Sequence, residues 1–257
     1  MKRGFIGCNW EDQRERVESG SSDSEQRTAI PTGDDTYANF GELRGSEIEG
    51  VDYRIVSIPG ASGITVMAPH GGNIEPGTSE IARAISSGEH TLYTFEGLKP
   101  TANRKLHITS TRFDEPLCVA TLKGSKTAVI LHGCKGKEEK VYIGGLDDDF
   151  KAMLEERLLR AGFAVGARPD LQGKSAQNLC NGCPGGMGVQ LELTTGLRRL
   201  MFGDLTQDGR RTTTTIFSSF VTAVRQAISI FSGSHLPEAA RAGGAEYPST
   251  QGRLMEC

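Results

Sequence analysis

Three things are scarce in this 257-residue chain, and each scarcity excludes a class of protein. Positive charge is not in excess: 29 Lys and Arg stand against 32 Asp and Glu, so the basic surface of a nucleic-acid binder is missing. Long apolar runs are missing too. None approaches the roughly 20 residues that span a bilayer, and residues 1–7 lead at once into charged ones rather than into a signal-peptide apolar region. A soluble monomer made in the cytoplasm is expected, released by lysis or another export route if its substrate lies outside the cell, with neither nucleic acid nor membrane as partner. Paired cysteines are scarce as well. Of Cys8, Cys118, Cys134, Cys180, Cys183 and Cys257, only Cys180 and Cys183 form a Cys-x-x-Cys pair. No second pair completes a structural zinc site. Asn181, Gly182, Pro184, Gly185 and Gly186 surround the pair with loop formers, where a redox pair would open a helix. Inert thiols are the preferred reading, and a redox element is the alternative.

What is present suits one large α/β domain, since the length supports a substantial core and 24% charged residues is ordinary for a globular protein. Residues 1–35 are polar, with nothing apolar to bury between 19 and 25, and are expected to form a disordered tail. Residues 36–232 are expected to form the domain and 233–257 a loose C-terminal tail. A short helix is read at Phe40, Leu43 and Ile48, with Arg44 and Glu47 exposed. Strands are read at 53–58, 64–67, 91–95, 106–111, 127–131, 141–145, 163–165 and 189–194. Further helices are read from Thr78 or Ser79 through Ile85, over 147–161 and over 213–230. Strands interleaved with helices imply a single domain with a mixed, mostly parallel sheet flanked by helices on both faces.

The chemistry gathers on the stretch from Ala68 to Glu80, which reads Ala-Pro-His-Gly-Gly-Asn-Ile-Glu-Pro-Gly-Thr-Ser-Glu. His70 leaves an apolar strand for a Gly-rich turn, and Glu75 follows five residues later. Imidazole nitrogen and carboxylate oxygen are both zinc donors, and glycines let the backbone curl around an ion. A turn histidine or an oxyanion loop would read the same way. A catalytic zinc takes three protein ligands and leaves one position open, so a third is needed. His107, facing away from Leu106 and Ile108 on its strand, is the best candidate, and His132 at the end of strand 127–131 is the runner-up. Carbonyl hydrolysis also needs a base. Glu192 lies between Leu191 and Leu193 near a strand end, where a carboxylate must face a polar cavity, pair with Arg198 or Arg199, or be used.

Together these residues carry a resemblance. The Tyr37-Ala38-Asn39-Phe40 segment leading to Gly50-Val51-Asp52-Tyr53 resembles the poly-γ-glutamate hydrolase family of phages and bacteria. So do the His70 to Glu80 motif, Leu106-His107-Ile108-Thr109-Ser110 with its continuation to Pro116, His132-Gly133-Cys134 with Gly144-Gly145-Leu146, and Gly188-Val189-Gln190-Leu191-Glu192-Leu193. The resemblance implies a zinc carboxypeptidase-like fold, Zn2+ on His70, Glu75 and His107, and Glu192 as general base. It implies cleavage of γ-glutamyl amide bonds in a polyanionic peptide or polymer, poly-γ-glutamate first. Similar sequences read Asn-x-x-Asn-Arg before the last strand, whereas this chain has Asn178-Leu179-Cys180-Asn181-Gly182. An arginine there would clamp a carboxylate bidentately and Gly182 cannot. The substrate-binding set is therefore read as Arg112, Asn178, Asn181 and Arg198, with Arg168 as a further substitute. The alternatives are a metal- or carboxylate-binding module without turnover, or a hydrolase of a different acyl-amino-acid amide.

Overall fold

The computed structural model describes residues 35–234; the expectations for residues 1–34 and 235–257, including Cys8 and Cys257, lie outside the described residues. In chain order the elements are α1 (Phe40–Ser46), β1 (Tyr53–Ile58), β2 (Ile64–Gly72), α2 (Thr78–Ser86), β3 (Thr91–Gly97), α3 (Pro116–Lys123), β4 (Thr127–Cys134), β5 (Lys140–Gly145), α4 (Asp148–Arg160), β6 (Ala164–Gly166), β7 (Val189–Thr194), α5 (Thr195–Met201) and α6 (Thr215–Ser234). One seven-stranded sheet runs in the order β1-β3-β2-β4-β7-β5-β6. Its centre, β3-β2-β4-β7, is parallel, and β1 and β5 join it antiparallel. This is the mixed, mostly parallel α/β sheet expected.

The strands read as near-continuous apolar runs because both sheet faces are covered. On one face Val66, Val129, Leu131, Leu191 and Leu193 meet Ile81 and Ile85 of α2, Phe150, Leu154 and Leu158 of α4, and Phe220, Val224 and Ile228 of α6. On the other, Met67, Ala128, Ile130 and Phe95 meet Phe40 and Leu43 of α1 and Cys118 and Leu122 of α3. α6 is long and apolar enough, by length and composition, to cross a membrane. Its Phe220, Ala223, Val224, Ala227, Ile228 and Phe231 are all buried in this core, the packing of a helix that covers a sheet.

Local readings needed correction in three places. Residues 106–111 form no strand. Asn103–Leu106 is a 3-10 turn, and beyond it the backbone groups pair with side chains and a loop instead of a ladder: the Ile108 carbonyl with His70, the Thr109 N–H with Asp35, the Ser110 carbonyl with the Leu179 N–H. The alternation is nonetheless kept, with Leu106 and Ile108 buried and His107 partly exposed. The cap of α2 is Gly77, at φ 101°, and neither hydroxyl caps the helix. Thr78 Oγ1 donates to the Glu75 carbonyl (2.9 Å), and Ser79 Oγ accepts from the Gly72 N–H (2.7 Å), so both brace the loop instead. Glu47 is buried rather than exposed, accepting from Tyr37 Oη (2.7 Å) and pairing with Lys99, while Ile48 is exposed.

The fold sets where chemistry can occur. From β2 the chain crosses through α2 to β3 on one side, and β4 returns on the other, so the crevice beyond the carboxyl ends of β2 and β4 is a topological switch point, the usual ligand site of such sheets.

Candidate active site

Three strands deliver side chains to that crevice. His70 lies near the carboxyl end of β2, within a register shift between Ala68 and Gly71 against β3. His132 lies near the end of β4, and the parallel register pairs it with Glu192 of β7. Two tight turns, Ile74 N–H to the Gly71 carbonyl and Glu75 N–H to the His70 carbonyl (2.9 Å), then fold Glu75 back onto His70. The glycines here serve close packing: a Cβ on Gly71 would lie 2.1 Å from Ser79 Oγ, and one on Gly72 (φ +62°) 2.5 Å from the Gly97 carbonyl oxygen. The histidine they follow is accordingly buried, 1% exposed, rather than open to solvent.

The donor atoms converge. His70, Glu75 and His107 each offer one ligand atom, all within 4.8 Å of one another. His70 Nδ1 is 3.4 Å from Glu75 Oε1, and His107 Nε2 is 3.9 Å from the same oxygen. Bonds near 2.1 Å to a tetrahedral zinc require donors about 3.4 Å apart, and the two distances to Glu75 Oε1 lie at or within about half an ångström of that spacing. The tautomers fit as well. His70 Nε2 lies 2.8 Å from the Ile108 carbonyl, which only accepts, so the ring proton sits there and the Nδ1 lone pair faces Glu75. His107 Nδ1 lies 2.6 Å from Asp35 Oδ1, which leaves Nε2 as its lone pair.

Burial and, behind it, the neighbouring His70 push the His107 pKa down to about 3, so its ring is neutral. Burial alone would raise the Glu75 carboxyl, yet His70 and His132 beside it hold it well below the usual carboxylate range. Its second oxygen accepts from the Gly133 N–H (2.8 Å). Burial opposes charge on His132, but Glu75 and Glu192 outweigh it and raise that pKa. His132 stands outside the donor cluster, its Nδ1 3.2 Å from His70 Nδ1 and its Nε2 3.2 Å from Ser110 Oγ.

These groups line one cleft of about 650 Å3, together with Glu192 and the rim cations Arg104, Lys135 and Arg168. Glu192 is 8% exposed, and burial raises its pKa to about 7 against the pull of His132, with Glu75 adding to the rise. Among the described residues it has no salt bridge to Arg198. That arginine, 4% exposed, is instead a brace between loops: Nε donates to the Leu193 carbonyl (3.1 Å), Nη1 to that of Pro76 (2.7 Å) and Nη2 to that of Cys134 (3.2 Å). It lines the cleft with its donors already engaged, which argues against a substrate grip.

The other expected substrate residues divide. Asn178 lines the cleft. Asn181 does not: its Nδ2 donates to the carbonyls of Gly173 (2.7 Å) and Ser175 (2.9 Å), and its Oδ1 accepts from the Leu146 N–H (3.2 Å), so every polar position of the amide staples loops together. Arg112 Nη2 donates to Asp35 Oδ2 (2.6 Å) behind His107. Arg168, which does line the cleft, is held by Asp170 through Nε and Nη2. Gly182 lines a neighbouring cavity with Arg112 and Asn178, where a Cβ would meet Leu122 Cδ1 at 3.1 Å. Cys180 and Cys183 are buried and unbridged, their thiols pushed up by burial to about 12 and about 11, which leaves too little thiolate for redox work.

One contributor was missed. Asp35 falls within the stretch expected to be a tail, yet its side chain is buried and accepts from His107, Thr109 and Arg112. Burial would raise its pKa, but the bonds from Thr109 and His107 lower it. No composition or periodicity marks it.

Residues 37–223 match the family model described as poly-gamma-glutamate hydrolase. The UPF0714 protein YndL of Bacillus subtilis is 40% identical over 183 residues, covering 70% of this chain and 72% of that protein. The UPF0714 protein YmaC of the same organism is 37% identical over 196 residues, covering 74% and 83%. A bacteriophage poly-gamma-glutamate hydrolase superposes with a TM-score of 0.77 at 32% identity, covering 79% of this chain and all of that one. An apo, zinc-free form of YndL superposes with a TM-score of 0.74 at 36% identity, with the same coverage. The matched stretch contains every cleft residue described above, and the fold is shared across it; the chain belongs to the poly-gamma-glutamate hydrolase family.

Proposed function

We propose that this chain is a zinc-dependent amidohydrolase that cleaves γ-glutamyl amide bonds, with poly-γ-glutamate as the first substrate to test. The observation that carries the reading is the meeting of two chemistries in one cleft: a donor cluster of His70, Glu75 and His107, and a separate carboxylate, Glu192, whose pKa sits near 7. The donor set of two imidazoles and one carboxylate is that of a catalytic zinc. That one form of YndL is distinguished as zinc-free supports zinc as the ion. When bound, zinc supplies electrophilic activation of a carbonyl and a lowered pKa for water.

The protein's own groups do the proton work. Glu192 takes a proton from the attacking water and hands it to the leaving nitrogen, and a pKa near the working pH suits a group that must both accept and return it. The second oxygen of Glu75, bonded to the Gly133 N–H, keeps that carboxylate oriented and ionised. The rim cations Arg104 and Lys135 favour a substrate with many carboxylates. A cleft that only bound carboxylates would gain nothing from the buried Glu192, which repels them; this favours turnover over the binding-module reading.

The test is metal-dependent depolymerisation. Full-length protein incubated with poly-γ-glutamate should shorten the polymer, lose that activity on dialysis against a chelator and regain it on adding zinc. Shortening that persists in fully demetallated protein would overturn the zinc reading, and an intact polymer with zinc bound would overturn the substrate.

A further inference from the structure

His70 and His107 face the same problem, since an imidazole can ligate a metal only if the correct nitrogen is unprotonated and the ring is held at the right angle. For His70 both conditions are met by the main chain, through its place on β2 and the Ile108 carbonyl. His107 follows a 3-10 turn and belongs to no strand, and among the described residues no main-chain carbonyl bonds its ring. What fixes it is a side chain. Asp35 Oδ1 lies 2.6 Å from Nδ1, and a carboxylate can only accept, so Nδ1 keeps the proton and Nε2 turns to the cleft. The other carboxylate oxygen accepts from the Thr109 N–H (2.7 Å) and Arg112 Nη2 (2.6 Å). Asp35 is thereby pinned from two further directions, one of them two residues along the chain from the histidine it holds.

We propose that Asp35 is the positioning residue of the zinc site, fixing the tautomer and ring angle of His107, and that Arg112 acts through Asp35 rather than on substrate. The inference rests on the zinc reading above, and nothing in the family match assigns it, because the matched stretch begins at residue 37.

The test is the zinc affinity of full-length Asp35→Asn, read by competition with a chromogenic chelator. It should be weaker than wild type by about 10–100-fold, the usual cost of losing an outer-shell partner. Asp35→Glu, which keeps the charge, should recover part of the loss. Arg112→Gln should weaken affinity less, and adding it to Asp35→Asn should change little further, because both act on one ring. Independently of any variant's folding, the imidazole nitrogens of His107 in zinc-free wild type, observed by 15N NMR, should show the proton on Nδ1. Wild-type affinity in Asp35→Asn, or a proton on Nε2, would overturn the proposal. Wild-type protein that binds zinc yet leaves poly-γ-glutamate intact would count against the substrate reading and leave this one standing.

Discussion

Two glutamates share the cleft, and the protein treats them in opposite ways. Glu75 stands on the turn after β2, with His70 and His132 at its oxygens and the Gly133 N–H bonded to it, and its carboxyl is held well below the usual range. Glu192 stands near the end of β7 with no hydrogen bond or ion pair among the described residues, and burial raises it to about 7. Two carboxylates whose environments push their pKa values apart are the mark of divided labour: the ionised one suits a ligand and the raised one suits a proton carrier. The contrast also has a thermodynamic sign. A depressed folded pKa gives stability that is present above the unfolded value and is lost as pH falls through the folded value. A raised one gives stability that is present below the unfolded value and is lost as pH rises through about 7.

The largest effect should come from the ligand. Glu75→Gln should weaken zinc binding by more than the ~10–100-fold that an outer-shell change costs, and hydrolysis should fall with metal content at fixed zinc. Chelator competition and activity on the same preparation check this. Unchanged affinity would merge the two glutamates' roles and break the contrast.

Next in size is the brace between the two regions. Arg198→Met removes hydrogen bonds to three carbonyls and to Thr195 Oγ1. The folded state should lose about 4 kcal/mol, at roughly 1 kcal/mol for each bond. Denaturant unfolding measures it. If Arg198 instead served as the ion partner of Glu192, the effects of Arg198→Met and Glu192→Gln would be coupled; the structure predicts that the two effects add, whatever the sign of each.

The smallest effect isolates Glu192 without chemistry. In zinc-free protein at pH 8 the wild type carries a buried, unpaired charge, so Glu192→Gln should be the more stable by about 2–3 kcal/mol. Below about pH 4 the two should unfold alike. Equal stability at both values would mean that Glu192 has a partner in solution, and would erase the difference from Glu75.

How much of this was legible in the sequence depends on what holds each residue. The position of His70 follows from an apolar run that stops at a polar residue, that of Glu192 from the alternation of Val189, Leu191 and Leu193, and the parallel sheet brings both to one crevice. Alternation correctly sorted His107 from Leu106 and Ile108, but could not tell a strand from an extended loop, because what separates them is where the backbone groups find partners. Asp35 was invisible for a related reason: its bonds reach 72 to 77 residues along the chain, from a neighbourhood that reads as polar tail. Asn181 and Arg198 show that a polar side chain near a motif looks the same in sequence whether it faces substrate or staples loops.

The central claim is that Glu192 moves the proton and does not hold the metal, and Glu192→Gln in the zinc-loaded enzyme tests it most directly. The substitution keeps volume and hydrogen bonding but removes the proton acceptor. With zinc content and turnover of poly-γ-glutamate measured on the same sample, the account predicts full zinc occupancy and a kcat lower by about 10²–10⁴-fold. Near-normal turnover with zinc retained, or loss of the zinc itself, would contradict it.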